Sequence, residues 1–282
     1  MAEKTGIAWT TSTFNAWIGC TKVGPGCDNC YAEATDKLRR WGGATHWGPG
    51  VPRKVMADSY WTAPPKWNKA AKESGQPHRV FCSSLADVFD NEAPEGQRER
   101  LWAMIRATPY LTWQLVTKRI GNAASMLPPD WGAGYPNVHL LATIVNQEEA
   151  DRDIFKLLSL PARVRGVSYE PALGPVNWMP YLTSGCLHWI IVGGESKQES
   201  SGKRGLARFN VGWAIDTIDQ CKATHVPVFI KQLGAAPYVE DALGEHLNIV
   251  LKDTQAGADI DEWPPGLKLR EFPPTYRPQE LI

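Results

Sequence analysis

The sequence predicts an α/β protein, a full or partial (β/α) barrel of TIM-like form with parallel strands inside and helices outside. Three observations predict it. Seven short β-rich runs alternate with amphipathic helical runs along most of the chain. The runs are nearly continuous in apolar residues, which marks strands buried on both faces of a helix-covered parallel sheet. Each run also finishes in polar or small residues, and a parallel arrangement gathers such ends at one mouth.

The first strand is IAWTTSTF (7–14), followed by a cysteine-rich loop and a helical run from Tyr31. Residues 41–78, with WGGATHWGPGVPRK and TAPPKW, read as a loop-rich excursion. RVFCSSL (79–85) is the second strand, and Leu101 and Ile105, four apart, set the core face of the helix after it. TWQLVTK (112–118) and VHLLATIV (138–145) follow, then a helix with Ile154 and Leu158 on one face. RVRGVSY (163–169) and HWIIVGG (188–194) come next. Val211, Ile215, Ile218 and Cys221 form the stripe of a last helix before VPVFIKQ (226–232). Residues 1–234 are thus assigned to the barrel. Residues 235–282, rich in Pro, Asp and Glu, are a C-terminal extension packed on it.

A chain of 282 residues suits a single α/β barrel. With 43% hydrophobic and 21% charged residues it is globular in composition, and a formal net charge of zero removes any bulk pull toward nucleic acid or anionic membrane. No basic stretch with a following apolar run opens the sequence, and no run approaches about 18 apolar residues. The expectation is a cytoplasmic protein without membrane association. In a reducing compartment, clustered cysteines serve as metal ligands or reactive groups rather than disulfides. Cys82, Cys186 and Cys221 are scattered among apolar residues and read as buried structural thiols. The thirteen tryptophans either pack loops or offer stacking surfaces for a flat ligand.

The strand ends supply the candidate site: Ser83, Ser84 and Asp87; Thr117, Lys118 and Arg119; Thr143 and Asn146. Ser168, Tyr169 and Glu170, then Gly193, Gly194 and Glu195, then Lys231 and Gln232 complete the rim. Gly193 and Gly194 allow close backbone approach to a ligand. Lys118 offers a cation to a carboxylate, and Glu195 can accept from an ammonium group. A ligand carrying both, an amino acid or its derivative, fits such a rim.

The segment GCTKVGPGCDNCYAEATDK places Cys20, Cys27 and Cys30 within one loop. Zinc would need a fourth ligand, for which His46 is the candidate. A Cys27–Cys30 disulfide would leave Cys20 unexplained. A three-thiolate iron–sulfur cluster would leave one iron open to an exogenous ligand such as S-adenosylmethionine, held through its amino and carboxylate groups. Tyr31 would shield that group or pack as the first helical residue.

The order of IAWTTSTFNAWIGCTKVGPGCDNCYAE, RVFCSSLADVF, WQLVTKR, VSYEPALGPV, IIVGGES and VPVFIKQLG resembles the radical S-adenosylmethionine superfamily. It looks nearest to a phage-associated family with a Cys-x6-Cys-x2-Cys loop, and it is distantly similar to spore photoproduct lyase. The loop has six residues between its first two cysteines where the superfamily usually has three, and Gly24, Pro25 and Gly26 lie in that longer span.

The resemblance implies an enzyme with a [4Fe-4S] cluster on Cys20, Cys27 and Cys30. Ser83, Ser84, Asp87, Lys118, Thr143, Asn146, Gly193, Gly194, Glu195 and Tyr31 would surround the S-adenosylmethionine. Tyr169, Glu170, Arg119 and Lys231 would contact substrate or handle protons. The implied reaction is a 5′-deoxyadenosyl-radical modification or rearrangement of a nucleobase, a decorated thymidine in phage-type DNA. The implied partners are DNA or a nucleotide and an electron donor such as flavodoxin or ferredoxin. Lys22, Lys37, Arg39, Arg40, Arg53 and Lys54 flank the loop and would either meet phosphates or form a solvated face. The alternative is a zinc-stabilised, non-catalytic protein that binds nucleic acid or another ligand.

Overall fold

The computed structural model describes residues 4–198, 205–276 and 278. Its elements run β1 (Ser12–Phe14), β2 (Trp17–Ile18), α1 (Tyr31–Arg39), β3 (Lys54–Val55), α2 (Ala63–Ser74), β4 (His78–Cys82) and α3 (Gln97–Ala107). They continue with β5 (Leu111–Thr117), α4 (Ile120–Met126), β6 (Val138–Thr143), α5 (Gln147–Ser159), β7 (Val164–Tyr169), α6 (Met179–Leu182) and β8 (Trp189–Gly193). The last are β9 (Phe209–Asn210), α7 (Val211–Ala223), β10 (Val228–Gln232), β11 (Pro237–Glu240) and β12 (His246–Asn248).

Seven strands form one parallel sheet in the order β1-β4-β5-β6-β7-β8-β10. They are the seven runs read from the sequence, in chain order, and the sheet is curled but open, a half-barrel flanked by helices. A closed barrel is therefore excluded, because β1 and β10 stand at opposite edges.

Side chains alternate between two apolar faces, as the strand period requires. Val80, Trp113, Leu115, Leu140, Val167, Ile190 and Ile230 pack outward in one core with Leu101 and Ile105 of α3, Ile154 and Leu157 of α5 and Ile218 of α7. Trp9, Leu141, Trp189, Ile191 and Phe229 fill the concave side, with Phe81, Val116 and Phe272 against them. This double burial explains the continuous apolar strands.

Two details differ from the sequence reading. Residues 41–78 contain α2, whose prolines Pro64 and Pro65 occupy its first turn, where a missing N–H costs nothing. On α7 the buried stripe is Val211, Ala214, Ile218 and Cys221, while Ile215 is exposed.

The C-terminal segment covers the β10 edge. Ile230 N–H donates to Leu269 (2.9 Å) and Glu271 N–H to Val228 (3.1 Å). Phe272 then packs on Phe229 and Trp189, and the Arg79 guanidinium from β4 lies 3.8 Å from its ring centre. The tail thus fills the base of the opening between the two sheet edges, where an uncovered strand would invite pairing with another chain. Among the described residues no helix is long and apolar enough to cross a membrane.

One consequence concerns His139, 2% exposed on the concave face of β6. Burial, with the charges of Arg79 and His188 adding to it, pulls its pKa down to about 4. The unfolded chain binds this proton near the ordinary histidine value of about 6.5. Stability from neutral His139 is therefore complete above that pH and is lost as pH falls toward 4, by roughly 3 kcal/mol. Urea unfolding across this range should show the loss, and His139→Phe should flatten that part of the profile.

Candidate functional site

The polar strand ends converge as expected, on the concave side of the half-barrel. Inward positions two residues beyond the apolar floor become polar: Phe81 is followed by Ser83, Val116 by Lys118, Leu141 by Thr143 and Phe229 by Lys231. Together with Ser168, these residues line a cavity of about 460 Å³. Ile7, Trp9, Trp47, Phe81 and Val116 give it an apolar part. Of the sequence-derived residues, Ser83, Ser84, Asp87, Lys118, Arg119, Glu170, Gly194, Glu195, Lys231 and Tyr31 reach it, as do Cys20, Cys27 and Cys30.

Four expected residues do not line the cavity, Thr117 among them, since its hydroxyl donates to Asp87. Tyr169 faces the helices, fully buried, with its ring against Trp178 and its hydroxyl donating to the Gly174 carbonyl. Asn146 caps α5 by accepting from Glu149 N–H at 3.0 Å. Gly193 gives room to Glu170, whose Oε1 would lie 2.6 Å from a Cβ at that position.

The cysteine loop is the roof. Gly26 passes so close to the strand ends that a Cβ there would stand 2.8 Å from Val145 Cγ1 and 3.3 Å from Lys118 Cε. Tyr31 Oη donates to the Ser84 carbonyl at 2.6 Å and pins the start of α1. Gly26→Val should therefore lift the roof and destabilise the protein by about 1–3 kcal/mol, read by urea unfolding.

Lys118 lines the cavity beneath Gly26 of the roof. Asp87 is buried and accepts from Thr117 Oγ1 (2.7 Å) and from the backbone N–H of Lys118 (3.0 Å), which holds the end of β5 in place. Among the described residues the Lys118 ammonium makes no ion pair and no side-chain hydrogen bond. Burial acts to lower its pKa, but Cys27, Cys30, Asp87 and Glu170 outweigh it and the net shift is upward, so the group is a cation at neutral pH. Beside it, Lys231 Nζ is paired with Glu170 Oε1 at 2.6 Å. Arg119 is committed to Thr21 O at 2.6 Å and to Asp90 at 3.7 Å.

The expected metal chemistry is corrected by the arrangement of its donors. Among the described residues no group of three or more His, Cys, Asp or Glu could hold a metal ion. Cys20 Sγ contacts the Thr21 carbonyl at 3.6 Å and Arg119 at 3.8 Å, and burial, reinforced by Asp87, pushes its thiol up to about 12. Cys30 lies instead beside Lys118 and Cys27, and burial raises its pKa as well.

These residues therefore do not fit a [4Fe-4S] cluster. The radical S-adenosylmethionine enzyme, its cluster, its S-adenosylmethionine and its deoxyadenosyl-radical reaction on a nucleobase fall with it. The same finding removes zinc from the alternative, since His46 is held by Asp36 at 2.8 Å. All six cysteines are free thiols, and Cys186 is exposed rather than buried.

Three of the six flanking basic residues are committed to ion pairs. Lys22 and Lys37 pair with Glu33 at 3.0 and 2.7 Å, and Arg53 is buried against Asp90 and Glu92. Sequence reasoning missed Asn29, Phe81 and Val116, while Trp9 and Trp47 are tryptophans it had offered as stacking surfaces. The two floor residues were detectable, since each lies two positions before a polar strand end already singled out.

The chain belongs to the family described as DUF5131, protein of unknown function, which matches residues 4–262. No curated protein and no solved structure matches it.

Proposed function

We propose that this protein binds a small anionic molecule in the concave cavity, without metal, and that Lys118 receives the anionic group. The observation that carries this reading is an inward-facing ammonium with no ion-pair partner among the described residues, lining a ligand-sized space. A cation in such a place is favourable when an anion completes it, because the desolvation cost is then offset by a charge-assisted hydrogen bond.

The cavity of about 460 Å³ lies within the range of small-molecule sites. Its apolar part, from Phe81, Val116, Trp9 and Trp47, suits a ligand with a hydrophobic or flat body. Glu170, 13% exposed at its side chain, supports a ligand that also bears an ammonium group, as an amino acid or its derivative does. A nucleotide, with a phosphate in place of the carboxylate, is the second anion class to test.

The experiment is a thermal-shift panel of amino-acid derivatives, simple carboxylates and nucleoside monophosphates on the purified chain. Stabilisation by at least one anionic compound, and not by its neutral analogue, is the expected result. Absence of any shift, or equal shifts with neutral analogues, overturns the reading.

A further inference from the structure

The roof of the cavity follows β2, just past the β1 edge of the sheet, and meets the far side of the mouth through Asn29. Its Nδ2 donates to Glu195 Oε2 at 2.8 Å and to the Gly205 carbonyl at 2.5 Å. Ala207 N–H donates to the same Glu195 oxygen at 2.7 Å. Glu195 lies two residues past the end of β8 and is 6% exposed, and its carboxylate is held by bonds that also hold the roof. On the near side the roof is tied separately, by Tyr31 to Ser84 and by Gly48 N–H to the Cys20 carbonyl at 2.9 Å.

We infer that the Asn29–Glu195 contact is a latch that regulates entry to the cavity. The near-side ties keep the roof attached, and release of Asn29 from Glu195 and Gly205 opens the far side of the mouth. This inference rests on the cavity being a ligand site, but the opening is measurable without ligand, because Cys27, buried, and Cys30, half-buried, line the cavity. A thiol reagent reaches them when the roof lifts.

The test uses the full chain with Cys186→Ser, which removes the exposed thiol. Labelling by N-ethylmaleimide is followed site by site by peptide mass spectrometry. Asn29→Asp keeps the size of the side chain and turns the donor into a carboxylate facing Glu195. It should label Cys27 and Cys30 about tenfold faster, as the loss of two hydrogen bonds predicts. Its added negative charge disfavours thiolate formation, so the expected acceleration runs against the direct charge effect.

Cys82 and Cys221, buried in the core, should stay protected in both proteins and report that the fold is intact. Unchanged rates at Cys27 and Cys30 overturn the latch. Where Asn29→Asp also labels the core thiols, the milder Asn29→Ser decides by the same criterion. Failure of the ligand reading is separate: no anion in the panel would stabilise the chain, while the thiol rates would still respond to Asn29.

Discussion

Lys118→Met reduces the affinity for the stabilising anion by about a hundredfold or more, the range expected when one partner of an enclosed charged hydrogen bond is removed. The side chain stands alone among the described cations of the cavity in having no ion-pair or hydrogen-bond partner, whereas Lys231 is neutralised by Glu170 and Arg119 is bonded to Thr21 and Asp90. Methionine preserves the length and apolar stem, so packing against the roof at Gly26 is largely kept. Isothermal titration measures the loss directly. Lys118→Arg should recover part of the affinity, because the charge returns but the fork occupies more space beneath Gly26. Equal affinity in Lys118→Met and the parent would remove Lys118 from the site.

The second large effect concerns stability. Arg53→Met should destabilise the protein by about 3–5 kcal/mol, the usual consequence of breaking a buried ion pair from one side. The Arg53 side chain is fully enclosed, with Nε 2.8 Å from Asp90 Oδ2 and Nη2 2.5 Å from Glu92. Nη1 also donates to the carbonyls of His46, Gly48 and Val51, and Nη2 to Thr21 Oγ1.

One guanidinium therefore ties the segment 46–51 to the start of the cysteine loop and to the loop after β4. Its removal leaves Asp90, 1% exposed, with the 3.7 Å contact to Arg119 and a 3.3 Å bond from Glu92 N–H among the described residues. Lysine cannot reproduce this fork, so Arg53→Lys should recover little of the loss. Urea unfolding gives the number, and a change below about 1 kcal/mol would contradict the structural role assigned here.

The half-barrel and its rim were legible in the sequence for a simple reason. Parallel strands buried on both faces give continuous apolar runs, and their ends must converge wherever the loops place them. Lys118, Thr143 and Glu170 could be named because each closes such a run. The cysteine loop was not legible in the same way, because spacing within a loop does not determine where its thiols point. Cys20 is contacted by Arg119, ninety-nine positions along the chain, and Arg119 also bonds Thr21. His46 is taken by Asp36.

The latch between Asn29 and Glu195 likewise joins residues 166 apart and has no local signal. Helix α2 escaped because Pro64 and Pro65 were read as loop residues, although a first turn accepts them. Tyr169 ends its strand on the helix side, which the period-two rule shows once the floor residues are known.

The central claim, that the concave cavity holds an anion at Lys118, is tested most directly by a crystal structure of the protein with the strongest stabilising compound of the panel. The predicted result is an anionic oxygen of that compound about 3 Å from Lys118 Nζ, beneath the cysteine loop and above Phe81 and Val116. A compound bound outside the cavity, or one whose anionic group meets another cation while Lys118 stays without a partner, would contradict it.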